Sequence, residues 1–351
     1  MVSSVANARA RLMAGTQGRI LNATLILLIG IALVILATRV TTLSPAYFVQ
    51  VVVYGLANGS IFALIALGYT MVYGIVELIN FAHGDVFTLG GFISLWLLPI
   101  FGVTEGGTVT GFGLMVPLLA ILVLSMVACA AVNVTIERVA YRPLRRAPRL
   151  TPLITAVGMS FVLEGIMFLW RGPFNLHYPN VLPPVSIELG GAGGPAITFK
   201  DVAVIAIAVV LMIALSLFVE RTKVGKAMRA TAQDRDAAEL MGNDINCAIA
   251  ATFFIGALLA GAGGMIFGLY FNTITFDQGF TAGLVAFTAA VFGGIGNIQG
   301  AALGGLVIGM IQELSDGYFD PAWTQVLIFA ILVLVLVFRP TGILGMRVPE
   351  K

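Results

Sequence analysis

The chain has 351 residues, of which 59% are hydrophobic and only 10% are charged, and its mean hydropathy is +1.01. Because ordinary soluble domains carry about 25% charged residues, this composition excludes a soluble globular protein. The apolar runs are long and unbroken, whereas the strands of a membrane β-barrel alternate apolar and polar residues. The sequence therefore predicts an all-α polytopic protein of the lipid bilayer, and we expect no nucleic-acid partner.

The apolar residues form about ten segments. A helix needs about 20 residues to cross roughly 30 Å of hydrocarbon. Segment 86–101 is too short for this, so we expect its helix to start inside the membrane. The segments are 20–38, 47–73, 86–101, 112–136, 152–170, 202–219, 247–271, 282–295, 300–314 and 324–338.

The first segment follows residues 1–19, which carry three arginines and no acidic residue. A secretory signal peptide has an apolar core of about 7–15 residues, which is shorter than segment 20–38, and no small-residue cleavage site is evident. We interpret 1–19 as a cytoplasmic N-terminal extension and 20–38 as a retained span. A cleaved leader is the alternative.

Basic residues cluster in alternate connections. Connections 137–150 and 220–246 carry five Lys or Arg each. Because Lys and Arg favour the cytoplasmic side of a membrane, we predict that both connections and both termini are cytoplasmic, including the tail 346–351. The basic connections all fall on one side only if segments 86–101 and 282–295 both cross the membrane. This supports ten helices in one transmembrane domain, 20–345.

The predicted extracytoplasmic connection 171–201 contains five prolines and five glycines. Such a composition excludes a long helix. The connection is either an ordered cap or a docking surface.

Polar residues interrupt the apolar sequence between the second and third segments. They are Glu77, Asn80, His83 and Asp85, within the stretch Gly68 to Gly91. Irregular backbone inside a membrane is tolerated only where it is buried in protein or lines a water-filled cavity. A short helix after a Gly-containing break is a sequence pointer to a transport site, although a break that only permits helix packing is the alternative.

A weak internal repeat accompanies this break, because Ile79–Asp85 and Ile274–Phe280 share Ile, Phe and Gly at matching positions. Each stretch lies between a long and a short apolar segment. This predicts an inverted repeat of helices 2–5 and 7–10 whose two broken helices meet near the midplane. The candidate pathway residues are Asn80, Phe81, His83, Gly84, Asp85, Thr275, Asp277 and Gln278.

Other residues carry weaker signals. Small residues recur every four positions at 256–268 and 300–309, which favours close helix packing. Cys129 and Cys247 fall in apolar helices and are interpreted as small core residues. Glu164 lies in a membrane segment, where a carboxylate is either functional or a buried structural acid.

Connection 220–246 predicts a short amphipathic helix with a small apolar face that includes Ala227 and Met241, and Gly242 is a plausible C-cap. Such a helix could dock into a groove on a partner, whereas a solvated loop is the alternative. The candidate coupling residues are Gly225, Lys226, Arg229, Ala230, Asp234, Ala238 and Gly242.

The sequence offers no chemistry for an enzyme. The phosphate-binding pattern G-x-x-x-x-G-K-[ST] is absent, and the chain has two histidines, without the spacing of metal ligands. We therefore expect no cofactor bound by this chain.

Several motifs resemble the permease subunit of branched-chain amino acid ABC importers, the LivH type, over roughly 45–345. They are Tyr-Thr-Met-Val-Tyr-Gly-Ile (69–75), Ile-Asn-Phe-Ala-His-Gly-Asp (79–85), Ile-Glu-Arg-Val-Ala-Tyr-Arg-Pro-Leu-Arg (136–145), Ala-Phe-Thr-Ala-Ala-Val-Phe-Gly-Gly-Ile-Gly (286–296) and Pro-Thr-Gly-Ile-Leu-Gly (340–345). The loop 225–242 shares the resemblance.

The resemblance implies a bacterial or archaeal cytoplasmic membrane protein that pairs with a second, LivM-like permease, with a homodimer as the less favoured alternative. Two cytoplasmic ATPase subunits would hold ATP and Mg²⁺, and an extracytoplasmic amino-acid-binding protein would deliver the substrate. The loop 220–246 would be the coupling helix. The start of helix 86–101 could meet a substrate carboxylate through its partial positive charge, but Asp85 as a cap of that helix favours a low-affinity, mostly apolar passage.

Two alternatives remain. A secondary transporter would need an ion-coupling group, for which Glu77, His83, Asp85, Glu164 and Asp277 are candidates. A permease of the same family for urea, an amide or another small solute would share these motifs, because the binding protein selects the substrate.

Overall fold

The computed structural model describes residues 44–76, 79–105, 112–145, 147–148, 150–188, 194–339 and 341–345. The N-terminal extension 1–19, the first predicted span 20–38, Glu77 and the tail 346–351 lie outside the described residues. The chain divides into two compact units, Met1–Gln50 and Val51–Lys351. In the first unit, the described residues are 44–50, where the first helix begins.

Helices dominate the described part of the chain. They are α1 (Pro45–Val76), α2 (Ala82–Ile100), α3 (Phe112–Ile136), α4 (Leu150–Arg171), α5 (Phe199–Arg221), α6 (Lys223–Gln233), α7 (Arg235–Leu240), α8 (Ile245–Phe271), α9 (Gln278–Gly293), α10 (Ile298–Tyr318) and α11 (Thr324–Phe338). A π-helical turn, Glu137–Tyr141, and a 3₁₀ turn, Arg142–Leu144, extend α3, and a 3₁₀ turn, Pro321–Trp323, precedes α11.

Eight helices in the described residues are long and apolar enough to cross a membrane, and α9 is a shorter apolar helix. The nine predicted segments from 47–73 to 324–338 all fall on these nine helices. The predicted all-α polytopic membrane fold is confirmed.

The expectation that the third segment is too short to span a membrane was wrong. Helix α2 starts at Ala82 and has 19 residues, which meets the length of a spanning helix. Residues 82–85 have helical backbone, although their polar side chains made them look like part of the break. They belong to the first turn of α2.

One end of the second unit gathers both basic connections. Arg145 Nη1 donates to Asn246 Oδ1 over 2.7 Å, and Arg235 Nη2 donates to the carbonyl oxygen of Ile75 over 2.8 Å. Contacts of connection 171–201 mark the other end, where Lys200 Nζ donates to Asn272 Oδ1 over 2.6 Å. The basic connections and connection 171–201 thus lie at opposite ends, as the predicted topology requires. The assignment of the basic end to the cytoplasm stays a prediction.

The described residues between α4 and α5 form short strands. They contain no long helix, as the proline and glycine content of connection 171–201 predicted. Strand β1 (Leu176–His177) pairs antiparallel with β4 (Thr273–Ile274), and β2 (Ser186–Glu188) pairs antiparallel with β3 (Ala196–Thr198). Within this connection Tyr178 is fully buried, and its hydroxyl donates to Ser94 Oγ over 3.0 Å. Burial raises the pKa of the Tyr178 hydroxyl, so it stays protonated.

The predicted small-residue stripes are packing surfaces. A Cβ on Gly264 would lie 1.9 Å from the carbonyl oxygen of Phe87, and a Cβ on Gly305 would lie 2.3 Å from Cα of Ala63. No side chain fits at such distances, so α8 approaches α2, and α10 approaches α1, backbone to backbone.

The two cysteines have different environments. Cys129 is buried in α3, as predicted, with Sγ 3.5 Å from the carbonyl oxygen of Val86. Cys247 is exposed in the first turn of α8, so its interpretation as a core residue was wrong.

Candidate functional site

The first break turns the chain back into the molecule. A Cβ on Gly68 would lie 2.1 Å from Nε2 of His83, so the second residue of α2 packs against a point eight residues before the end of α1 at Val76. With a rise of about 1.5 Å per residue, α2 starts about 12 Å inside the end of α1. Ile79 and Asn80 make the return without helical structure.

The second break repeats this geometry after α8. Asn272 ends the helix in the left-handed conformation, with φ of 55°. The chain then runs extended past Ile274, whose side chain lies against Gly91 of α2. The backbone N–H of Thr275 donates to Gln278 Oε1 over 3.0 Å, which stabilises the start of α9.

The two helices that follow the breaks meet at their first turns. A Cβ on Gly84 would lie 2.1 Å from the carbonyl oxygen of Gly279 and 2.9 Å from Cα of Gly283. The starts of α2 and α9 therefore touch backbone to backbone, as the inverted-repeat prediction requires. Their depth in a bilayer stays a prediction.

The polar side chains at the first break and in the first turn of α2 are enclosed in protein. Asn80, His83 and Asp85 are at most 3% exposed. Asn80 Oδ1 accepts a hydrogen bond of 2.7 Å from the Tyr141 hydroxyl, and Asp85 Oδ2 accepts one from the Ser160 hydroxyl. The sequence analysis missed Tyr141 and Ser160, because they lie 61 and 75 residues from their partners.

Asp85 is not the cap of α2 that the sequence suggested. The N-cap position is Phe81, which makes no side-chain capping bond, and Asp85 lies one turn inside the helix. The His83 ring packs edge-on against Tyr69, with the ring centroids 4.9 Å apart. This cluster holds α1, α2, α3 and α4 together around the first break.

An open cleft of about 490 Å³ lies beside the second break. The predicted residues Thr275, Asp277 and Gln278 line it from the second break and the start of α9. The sequence analysis missed the polar residues that complete the lining, although Gln312 and Asp316 are spaced one helical turn apart, which was a usable signal. These residues are Thr281, Gln312, Asp316, Thr324 and Gln325.

The predicted pathway residues thus fall into two environments. Asn80, His83, Gly84 and Asp85 are buried, and Phe81 is half-buried. The three residues of the second break lie on the cleft. Helix α9 separates the two groups, because Gly279 and Gly283 face Gly84 while Gln278 lines the cleft. A transport role for any of the eight stays a prediction.

Glu164 lies close to both groups. Its carboxylate is half-buried in α4, within electrostatic reach of Asp85 and Asp277. These acids come from three different helices or helix starts, so their proximity depends on the tertiary fold.

The coupling connection folds as two helices, where one was expected. Asp234 ends α6 and, in an extended conformation, caps α7 by accepting from the backbone N–H of Ala237 over 3.1 Å. The expected continuous apolar face is therefore broken. Met228 and Ala238 are buried, whereas Leu240 is 89% and Met241 83% exposed.

The predicted coupling residues mostly shape this connection. Gly225 allows contact with the end of α5, since its Cβ would lie 2.3 Å from the carbonyl oxygen of Val219. Arg229 Nη1 donates to the same oxygen over 2.9 Å. Ala230 is half-buried and Lys226 is exposed.

Gly242 ends α7, as predicted. Its φ is +85°, its N–H donates to Glu239 over 2.9 Å, and the N–H of Asn243 donates to Ala238 over 3.0 Å. This pair of bonds is a Schellman motif, in which glycine supplies the left-handed residue.

One arginine in each basic connection makes a bond that holds the connection in place. Arg235 bonds to the last turn of α1, as described above. Arg145 forms an ion pair with Glu137, which is 1% exposed. Burial lowers the pKa of Arg145, and the adjacent carboxylate of Glu137 opposes that shift.

Comparison with known proteins identifies the family of the chain. The family described as "Branched-chain amino acid transport system / permease component" matches residues 51–336. The chain belongs to this family. It is a multi-pass membrane protein related to permease subunits of transport systems.

Individual relatives are also permeases of amino acid transport systems. The chain is 41% identical over 311 residues to BraD, a high-affinity branched-chain amino acid transport system permease protein of Pseudomonas aeruginosa, covering 87% of this chain and 98% of BraD. It is 39% identical over 309 residues to LivH of Escherichia coli K12, with the same coverage. A probable LivM permease of Methanocaldococcus jannaschii is 30% identical over 163 residues, covering 41% of this chain and 46% of that protein. No solved structure matches the chain.

Proposed function

We propose that the chain is a permease subunit of an ABC importer in the cytoplasmic membrane, and that it forms half of the pathway for branched-chain or related amino acids. The match over 98% of the length of BraD carries the proposal. The two touching helix starts and the adjacent polar cleft support a pathway at this position.

The proposed complex contains a second, LivM-like permease, two cytoplasmic ATPase subunits that hold ATP and Mg²⁺, and an extracytoplasmic binding protein. The similarity to a LivM protein over part of its length supports two related permeases. The exposed apolar pair Leu240 and Met241 supports docking of an ATPase at α7.

In the proposed cycle, the binding protein delivers the amino acid from the side of connection 171–201, and closure of the ATPases moves α6 and α7. Arg235 transmits this movement to the last turn of α1, because it bonds to the Ile75 carbonyl. The first break follows directly, so a shift of α1 changes the contact between Gly84 and Gly279.

Co-purification and uptake test the proposal together. The tagged chain should retain two ATPase subunits and a second permease, and cells lacking the chain should lose uptake of radiolabelled leucine and regain it with the wild-type gene. Leu240→Asp should release the ATPases without lowering the yield of the permease, because the side chain is 89% exposed.

Loss of urea uptake with normal leucine uptake in the deletion strain would contradict the proposed substrate class. Leucine uptake that persists without any ATPase subunit would contradict the proposed importer.

A further inference from the structure

The cleft beside the second break has a lining suited to an apolar amino acid. Its polar side carries Asp277 and Asp316, and the described residues that line it include no Lys or Arg. Its apolar side includes Phe62, Val285 and Ile328, each at most 5% exposed. A small solute with a charged head and an apolar tail matches both sides.

Two atoms in the lining have unmet hydrogen-bonding capacity. The amide nitrogen Nε2 of Gln278 and the amide oxygen Oε1 of Gln312 are buried and have no hydrogen-bond partner within the described structure. Buried polar atoms are nearly always paired with protein, water or ligand. Both side chains line the cleft, so an unpaired donor on α9 and an unpaired acceptor on α10 lie beside it.

The carboxylate of Asp316 lies one turn from Gln312 on α10. Its Oδ1 accepts from the Thr324 hydroxyl, and a carboxylate has about four acceptor sites, so it can accept further hydrogen bonds. An ammonium group has three donors and a full positive charge. A neutral solute such as urea gains less from two carboxylates, because charge-assisted hydrogen bonds are about twice as strong as neutral ones.

We infer that this cleft binds the α-ammonium group of the transported amino acid through Asp316, Asp277 and the Gln312 carbonyl, while Gln278 Nε2 donates to its carboxylate and the aliphatic tail contacts Phe62, Val285 and Ile328. The inference rests on the proposed function for the amino acid as cargo. It adds the binding residues and the requirement for a positive head group.

Protection of a thiol in the cleft tests this directly. Thr281 is exposed and lines the cleft, so Thr281→Cys is made in an importer whose exposed Cys247 is changed to Ser. The rate of modification by methyl methanethiosulfonate, a small neutral reagent, is measured on the purified complex. Gln325→Cys, at another exposed position of the lining, provides a second reporter if the first lowers the yield.

Three ligands show which head group of the amino acid the cleft binds. Leucine and 3-methylbutylamine, which keeps the ammonium group and lacks the carboxylate, should slow the modification. 4-Methylpentanoate, which lacks the ammonium group, should not. Equal protection by all three ligands, or protection by none, would overturn the inference.

Asp316→Asn should raise the half-protecting leucine concentration about tenfold, the loss expected for one charge-assisted hydrogen bond. Glu313→Gln is the matched control, because Glu313 lies on the same helix and accepts from Asn58 Nδ2 over 3.0 Å outside the cleft; it should leave protection unchanged. An unchanged value for Asp316→Asn contradicts the inference.

Uptake by the unmodified importer separates this result from the proposed function. If the importer takes up leucine but leucine does not protect the thiol in the cleft, the assignment of the binding residues is wrong and the proposed function stands. If the importer takes up urea but not leucine, the proposed substrate class is wrong. Protection of the thiol by 3-methylbutylamine would in that case still support a cleft that binds an ammonium group.

Discussion

At the scale of single residues, the breaks depend on close backbone contact and on buried polar pairs. Gly84 touches Gly279 with no room for a side chain. Of the neighbouring polar groups, Asn80 Oδ1 accepts from Tyr141 and Asp85 Oδ2 accepts from Ser160, whereas Asn80 Nδ2 and Asp85 Oδ1 are buried with no hydrogen-bond partner within the described structure. A buried hydrogen bond of this kind costs about 1–3 kcal/mol when one partner is removed, so these residues stabilise the break as well as shaping it.

Replacement of Gly84 by alanine should destabilise the permease. The new Cβ would lie 2.1 Å from the carbonyl oxygen of Gly279, so α2 and α9 must separate, and overpacking of this kind costs about 1–3 kcal/mol. The melting temperature and yield of the purified complex measure the effect.

Gly158→Ala is the matched control, because a Cβ at this position of α4 has no neighbour within 4 Å. It should change stability by less than about 1 kcal/mol. Equal melting temperatures for Gly84→Ala and Gly158→Ala would show that the contact between α2 and α9 does not exist in the folded protein.

At the scale of elements, the short helices α6 and α7 are fixed by caps and side-chain bonds. Asp234 joins them, and Gly242 ends α7 in a Schellman motif. Arg235, the first residue of α7, bonds to α1. The connection is therefore held against the end of α1, so a movement of α6 and α7 can be passed to α1.

Gly242→Val should uncouple ATP hydrolysis from transport. The φ of +85° at this position is unfavourable for a β-branched residue, although its Cβ would meet no neighbouring atom. Gly242→Asn should retain most activity, because Asn tolerates the left-handed conformation. Equal transport by both variants would refute the role of backbone conformation, and the ratio of leucine transported to ATP hydrolysed is the readout.

Arg235→Ala should lower the same ratio while the ATPases stay bound, because it removes the bond between α7 and the last turn of α1. Lys223, an exposed residue of the same connection, provides the control Lys223→Ala. If Arg235→Ala leaves the transport ratio at the wild-type value, the bond to Ile75 does not carry the coupling.

At the scale of the whole molecule, sequence reasoning predicted the spanning helices well because each depends on a local apolar run. It also predicted the turn at Gly242, where glycine directly follows a helical pattern. It placed the start of α2 four residues late, because polar side chains in the first turn of a buried helix look like a loop. The cleft was mostly missed, since residues of α9, α10 and α11 meet there only through tertiary packing.

The orientation of the molecule can be tested with a native thiol. Cys247 is exposed at the end that carries both basic connections. In intact cells it should resist a membrane-impermeant thiol reagent, whereas Asn180→Cys, at an exposed position of connection 171–201, should react. Labelling of Cys247 without labelling at position 180 would reverse the orientation.

Reconstitution of the complete importer tests the central claim most directly. Proteoliposomes that contain this chain, its partner permease, the two ATPases and the binding protein should accumulate radiolabelled leucine when ATP and Mg²⁺ are supplied to the ATPase side, without any ion gradient. Omission of this chain should abolish the accumulation. Leucine accumulation that follows a proton or sodium gradient and does not depend on ATP would contradict the account.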